Sequence, residues 1–386
     1  MNEHTTFQQL DINKEFCQKL RDLNINSPTK IQTQVIPLLN KNENLLFQSE
    51  TGTGKTFAYL LPLLQQINKN LPHIQLMIIA PTHELSSQIK NQIQQISDIK
   101  VALLIGGAPI KRQTELLKEK PQIVVGGPAR LAELAFLKKL KCNNIKFIVI
   151  DEVDRLFSRE LRDKTLSLLN LLPEKINIIA CSATISEGTT KIIKNIIKQK
   201  NSDTENLKTV LLPPEDILRK KILHIAIYSE SRDKIDTLKK ILVAENPSRA
   251  MIFTSRPDQV EIIANKLTYK KIDCCFLHAK TDKVKRKQAL DRFRSGKTKV
   301  LITSDLSARG LDIFGISHII QMDLPSEKDF FIHRAGRTGR AGNSGTNIVI
   351  CDEYELRKFS ALEKKLGLTV YPKILYKGKM IAPVLD

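Results

Sequence analysis

Eight residues constrain this chain more than any others. Ser49-Glu50-Thr51-Gly52-Thr53-Gly54-Lys55-Thr56 follows the apolar run Leu45-Leu46-Phe47 and precedes the helical pattern Phe57-Ala58-Tyr59-Leu60-Leu61. Strand, glycine loop and helix in that order is the setting a phosphate-binding loop requires. Glycines let successive backbone N–H groups turn toward phosphate oxygens, and the following helix adds the positive end of its dipole. In such a loop Thr51, Gly52, Thr53 and Gly54 form the cradle. Lys55 reaches the β- and γ-phosphates, and the Thr56 hydroxyl ligates Mg²⁺. Ser49 stands where these loops usually begin with Gly or Ala; it is small enough to keep the backbone path.

Further along, Phe147-Ile148-Val149-Ile150 runs into Asp151-Glu152-Val153-Asp154. An apolar strand here delivers adjacent carboxylates at its C-terminal end, where ligands bind in open α/β sheets. A glycine loop alone is sometimes an ordinary turn, and an acidic strand end alone is usually solvated. Both together, in this order, imply hydrolysis of a nucleoside triphosphate.

Apolar runs of strand length recur between helical patterns: Leu45–Gln48, Leu76–Ala80, Val101–Ile105, Gln122–Val125, Lys146–Ile150 and Asn177–Cys181. Most lack polar alternation, as expected of strands covered on both faces. The rhythm returns at Ile222–Tyr228, Ala250–Thr254, Asp273–Leu277, Lys299–Thr303, His318–Met322 and Thr346–Cys351. This predicts an α/β chain of two parallel-sheet domains, 1–208 and 209–386. A polar, flexible linker is expected near 200–220, where Pro213-Pro214 stops any helix from crossing. Residues 353–366 read as one amphipathic helix packing Leu356, Phe359, Leu362 and Leu366.

At 386 residues the chain suits two domains rather than one core. Its net charge of +20, shared by both halves, points to a polyanionic partner. The six cysteines show no metal-ligand spacing and read as small core residues in a reducing compartment. No signal peptide and no membrane-spanning run is apparent, so a cytoplasmic location is the expectation.

The second half has no phosphate loop, but it holds Ser304-Asp305-Leu306-Ser307-Ala308-Arg309-Gly310-Leu311-Asp312 and His333-Arg334-Ala335-Gly336-Arg337-Thr338-Gly339-Arg340. Three arginines spaced by three make a guanidinium cluster suited to phosphate. A partner domain supplying arginine fingers answers the first domain's need for a transition-state cation.

With these motifs in order, from Phe7 to about Ile374, the chain resembles DEAD-box ATP-dependent RNA helicases of the minimal bacterial type. The resemblance implies two tandem RecA-like domains, ATP and Mg²⁺ as cofactors, and RNA, as a single strand or short duplex, as partner. A monomer is the expectation. Phe7 and Pro28-Thr29-Lys30-Ile31-Gln32 look like the adenine-reading Q motif, with Gln32 donating to and accepting from the base edge. Asp151-Glu152-Val153-Asp154 stands where the family has Asp-Glu-Ala-Asp, with Val153 as a departure that keeps every charge. Ser182-Ala183-Thr184 matches the motif that couples ATP state to domain closure.

The implied roles follow residue by residue. Asp151 holds Mg²⁺ through water, and Glu152 orients and deprotonates the attacking water. Arg337 and Arg340 reach the γ-phosphate on closure, and Asp312 meets the ribose. Asp154, Ser182, Thr184 and His333 form the coupling network. RNA contacts carried over are Pro81, Thr82, Gly107, Arg130, Arg256, Thr303 and Gly310. Here the sequence departs from the family at His83, Gly127, Ala129 and Arg256. The expected function is RNA remodelling or local duplex unwinding, a role in ribosome assembly or RNA metabolism being consistent with the family. The alternative is an RNA-binding clamp with little strand separation.

Overall fold

The apolar runs fold as strands, and the strands gather into two separate sheets. The computed structural model describes residues 5–50, 52–200, 207–212, 215–278, 281–308, 311, 313, 315–339 and 343–383. Two units, Met1–Pro213 and Pro214–Asp386, divide the chain.

The first unit carries β1 (Asn44–Gln48), β2 (Leu76–Ile79), β3 (Val101–Leu104), β4 (Ile123–Gly126), β5 (Phe147–Asp151), β6 (Asn177–Ser182) and β7 (Leu207–Leu211). Their order is β3-β4-β2-β5-β6-β1-β7, and the pairs are parallel. Parallel neighbours need crossover connections, and helices such as Lys55–Gln65, His83–Ile96 and Pro128–Phe136 supply them. Alternate strand residues enter opposite cores. Leu45, Phe47 and Val149 pack on one face, and Leu46, Ile148 and Ile150 on the other. Each such side chain is worth about 1.5–3 kcal/mol on burial. Because β5, β6 and β1 are neighbours, the segments that leave their C-terminal ends lie side by side.

The second unit carries β8 (Ile222–Tyr228), β9 (Ala250–Thr254), β10 (Cys274–Leu277), β11 (Val300–Ser304), β12 (His318–Gln321), β13 (Gly345–Cys351), β14 (Val370–Tyr376) and β15 (Lys379–Ile381). The order is β10-β11-β9-β12-β13-β8-β14-β15, with β15 antiparallel to β14. The helix Glu353–Leu366 begins with a capping box between Asp352 and Glu355. It buries Phe359 and Leu366 and half-buries Leu356 and Leu362.

Part of the expected linker is structured. β7 pairs along β1 from Asn44↔Leu207 to Gln48↔Leu211, carrying the first sheet past residue 208. The helix Glu215–Lys221 then opens the second unit. An edge strand buries little, and only Leu207, Val210 and Leu212 of this stretch pack on the cores. Its lysine and threonine read as linker for that reason. β14 is not among the expected strands for the same reason, since none of its residues is fully buried.

Candidate active site

β1 delivers the glycine loop. The Ser49 N–H donates to the Ser182 carbonyl at 3.1 Å, tying the loop to the end of β6 as it departs. The hydroxyls of Ser49 and Thr53 lie 2.7 Å apart, and Thr53 Oγ1 donates to the Glu50 carbonyl at 2.7 Å. Serine at position 49 therefore closes the neck of the loop. Gly52 and Gly54 have φ of 84° and 90°, in the left-handed region that other residues resist. Lys55 opens the following helix and folds its ammonium back, donating to the Ser49 carbonyl at 2.5 Å and the Glu50 carbonyl at 2.7 Å. Thr56 is half-buried beside it, while Thr51 lies outside the described residues.

β5 delivers the carboxylates. Asp151 is buried, and both its oxygens have donors: Tyr59 Oη to Oδ2 at 2.9 Å, the Glu152 N–H to Oδ1 at 2.9 Å, and Cys181 Sγ to Oδ1 at 3.3 Å. Burial pushes the Tyr59 hydroxyl and the Cys181 thiol well up, and the Asp151 charge adds to both. Both stay protonated and keep donating. Glu152 turns out of the strand at φ 53°, the only positive φ in this segment. Asp154 accepts from Ser182 Oγ at 2.5 Å and Thr184 Oγ1 at 2.9 Å. The carboxylate motif and the serine–threonine motif thus share one network at the ends of β5 and β6.

Gln32 sits against the loop, with each end of its amide engaged. Oε1 accepts from the Thr29 N–H at 2.9 Å, and Nε2 donates to the Gly54 carbonyl at 3.1 Å. A Cβ on Gly54 would stand 2.5 Å from that Nε2. Phe7 is 5 % exposed and packs in the core with Leu10 and Phe16. It anchors the entry segment and offers no open face to a base.

In the second unit two of the three arginines are among the described residues, and both are buried. Arg334, expected as one of a phosphate-facing cluster, points into the interior and is 1 % exposed. Its fork grips Asp305 through Nε at 2.6 Å and Nη2 at 2.7 Å. It also reaches Gln321 Oε1 at 3.2 Å, the Asp323 carbonyl at 3.0 Å and Ser255 Oγ at 2.7 Å. Burial would lower its pKa, but the charges and hydrogen bonds of Asp305 and Asp323 outweigh that and raise it. Arg337 is buried, with Nη1 donating to the Leu311 carbonyl at 2.5 Å. His333 is half-buried on the helix Lys328–Ala335. Arg340, Asp312 and Gly310 lie outside the described residues.

The remaining expected contacts are mixed. Pro81 and Thr82 follow β2, and Thr82 caps the helix His83–Ile96 by accepting from the Leu85 N–H. Gly107, at φ 74°, turns the loop after β3. Arg130 braces that loop by donating to the Ala108 carbonyl at 2.8 Å and pairs with Glu133 at 2.9 Å. Arg256 is exposed after β9 and pairs with Asp258 at 3.1 Å. Thr303 does not fit a surface contact. It is fully buried in β11 and donates to the Ser304 carbonyl, because its neighbours cover β11 on both faces.

Tyr59 and Cys181 carry no motif, and the arginine motif places Arg334 on the wrong side of the fold. The available signal was a polar group inside an otherwise apolar or buried run, which must find a partner. Among the described residues, no helix is long and apolar enough to cross a membrane, and no group of three or more His, Cys, Asp or Glu is placed to hold a metal.

Residues 29–193 match the DEAD/DEAH box helicase family model, and residues 233–342 match the helicase conserved C-terminal domain. The chain is 34% identical over 356 residues to the DEAD-box ATP-dependent RNA helicase CshC of Bacillus cereus, covering 92% of this chain and 89% of that protein. It is likewise 34% identical to the probable ATP-dependent RNA helicase YfmL of Bacillus subtilis, covering 92% of each. Among solved structures, S. cerevisiae Dbp5 bound to RNA and ADP BeF3 superposes with a TM-score of 0.84 at 27% identity, over 95% of each chain.

Proposed function

The chain belongs to the DEAD-box ATP-dependent RNA helicases, and on that premise we propose how its residues divide the work. It is an RNA-dependent ATPase that remodels RNA. The observation that carries the residue assignment is the meeting of three segments on neighbouring strands. Lys55 lies over its loop, Asp151 is held by Tyr59, and Asp154 is held by Ser182 and Thr184.

Lys55 binds the β- and γ-phosphates, exchanging its carbonyl partners for phosphate oxygens. Glu152, next in chain to a fixed Asp151, orients the attacking water and takes its proton. Gln32 reads adenine once its amide leaves the Gly54 carbonyl, so base binding and loop conformation are linked. Thr56 and Asp151 fit Mg²⁺, since Asp151 Oδ2 has the single donor Tyr59 and keeps a lone pair for metal-bound water, whereas Oδ1 already accepts from the Glu152 N–H and Cys181; the ion would neutralise phosphate charge. The two moving parts are the expected domains 1–208 and 209–386 with their boundary moved to 213, so that β7 stays with the first. Closure brings Arg337 and Arg340 to the γ-phosphate, Asp312 to the ribose and His333 to the Asp154 network. Pro81, Thr82, Gly107, Arg130, Arg256 and Gly310 line the RNA path. Six free cysteines, five of them buried, support a reducing, cytoplasmic setting.

A clamp with little strand separation is the second reading. It is favoured by Arg130, whose guanidinium is already committed to Glu133 and the Ala108 carbonyl. Strand separation of a short duplex, with ATP and with a non-hydrolysable analogue, decides between them. Separation that needs ATP supports the remodelling enzyme; tight RNA retention without separation supports the clamp. Absence of any RNA stimulation of ATP hydrolysis would overturn both.

A further inference from the structure

On the first unit, far from the loop, lies a groove of about 500 Å³ whose polar wall is one-signed. Lys118, Lys120, Lys138, Lys139 and Lys141 line it with His73, and no carboxylate does. Lys118 is paired with Glu115 at 2.9 Å. The other four lysines are exposed and make no ion pair among the described residues. Beside them Phe136 is 63% exposed and Leu137 is 51% exposed. An adjoining groove of about 440 Å³ shares His73 and Asn144 and adds Lys146 and Lys175, again with no carboxylate.

The position follows from topology. Ile74, Pro121 and Asn144 precede β2, β4 and β5, whereas the glycine loop, Pro81 and Glu152 follow strands of the same parallel sheet. The grooves therefore sit at the opposite edge from the nucleotide site. A solvated charged face mixes both signs. Lysine is also favoured at helix C-termini, and two helices end here. Yet main chain already caps carbonyls at both ends, Leu117 by the Lys120 N–H and Leu134 and Ala135 by the Lys139 and Lys138 N–H groups. Dipole compensation accounts for one lysine at each helix end, not for several converging on a concavity.

We propose that this groove is a second RNA-binding site, taking the phosphodiester backbone of a strand that extends beyond the nucleotide-linked site. Flexible lysines act as point charges without base preference, and the exposed Phe136, two residues before Lys138 in the chain, is available to stack on a base. The inference rests on the reading of the chain as an RNA-remodelling enzyme and adds to it a reason for long or structured substrates to bind better.

The test uses the full chain carrying Lys120→Gln, Lys138→Gln, Lys139→Gln and Lys141→Gln. Equilibrium binding is measured across a salt series, with a non-hydrolysable ATP analogue. One RNA is a short strand that fills only the primary site, and the other extends well beyond it. A control replaces Lys240, Lys266, Lys270 and Lys271, exposed on the second unit, by glutamine. The wild type and the control should prefer the long strand. The groove variant should lose that preference, keep its short-strand affinity, and show a long-strand salt slope shallower by about three for four lost phosphate contacts. A retained preference with an unchanged slope overturns the proposal. So does an equal loss on both strands, or an effect matched by the control. If poly-glutamate instead of long RNA distinguishes variant from wild type, the groove is an acidic-protein surface and the proposal falls. Failure of every protein to bind even the short strand would instead count against the primary RNA reading.

Discussion

Tyr59 holds Asp151 across 2.9 Å of fully buried space, from a helix whose first residue is Lys55. Residues four apart share a helix face, so one turn of helix sets Lys55 over its loop and fixes Asp151 together. Tyr59→Phe keeps the packing and removes the donor. Loss of one buried hydrogen bond to a charged group costs about 1.5–3 kcal/mol, shared between folding and the orientation of Asp151. The half-saturating Mg²⁺ concentration for ATP binding should rise severalfold, with a small drop in Tm. An unchanged Mg²⁺ titration would mean that Asp151 needs no such support.

Gly54 tests the link between the loop and Gln32. Alanine there meets two obstacles, a φ of 90° and a Cβ placed 2.5 Å from Gln32 Nε2. Left-handed strain for a non-glycine residue is about 1–3 kcal/mol, and the collision adds to it. Gly54→Ala should therefore abolish measurable binding of a fluorescent ATP analogue while the chain stays folded by circular dichroism. Gln32→Ala should lose discrimination between ATP and GTP. Equal turnover of the two nucleotides by the wild type would remove Gln32 from the base site.

Arg334 and Arg337 should fail in opposite ways. Arg334 is tied to Asp305, Asp323, Gln321 and Ser255, so Arg334→Met leaves the half-buried carboxylates of Asp305 and Asp323 without their cation. Breaking a fully buried pair from one side costs about 3–5 kcal/mol; the partly solvated carboxylates here bring the loss below that, and the unfolding midpoint of the second unit should still fall. Arg337→Lys keeps the charge and loses the fork. Its Tm should fall less than that of Arg334→Met, since lysine keeps a donor for the Leu311 carbonyl, while RNA-stimulated hydrolysis drops on the order of 10³-fold if it acts as a finger. Calorimetry paired with steady-state ATPase rates separates the two, and the same phenotype in both variants would contradict this division.

Acid should weaken the second unit through His224. Burial lowers its pKa from 6.5 to about 4, and its ring accepts from Asn347 while donating to the Leu218 carbonyl. The folded state binds fewer protons than the unfolded chain between those values, so stability is intact above pH 6.5 and is lost as pH falls toward 4. The full loss amounts to about 3 kcal/mol. His224→Gln supplies one donor and one acceptor without a titrating ring. Tm measured from pH 7 to 4 should fall less steeply in that variant; parallel curves would exclude His224 as the acid-sensitive group.

Legibility in sequence tracked local pattern. Strands buried on both faces read clearly, because Leu76–Ile79 and Phe147–Ile150 are unbroken apolar runs. The glycine loop and Asp151-Glu152 read clearly because their chemistry is contiguous in the chain. Tyr59 and Cys181 did not, since their partner Asp151 lies 92 and 30 residues away and neither differs locally from a core residue. Arg334 misled for a related reason. Its spacing matched a phosphate-facing cluster, while its burial was decided by Asp305, Asp323 and Ser255 on three other segments.

β7 gives the last prediction. Residues 207–211 look like linker, yet they hydrogen-bond along β1, the strand that ends at the glycine loop. Removing them would expose the β1 edge, a row of unpaired backbone donors and acceptors beside Leu45 and Phe47. Fragment 1–213 should therefore fold and stay monomeric, whereas fragment 1–206 should unfold at lower temperature or aggregate. Neither should hydrolyse ATP appreciably, since the arginine-bearing helix and Arg337 belong to the second unit. Light scattering and thermal melts of the two fragments decide it. Identical behaviour would show that β7 contributes nothing to the first sheet, and brisk RNA-stimulated turnover by fragment 1–213 would remove Arg337 from the reaction.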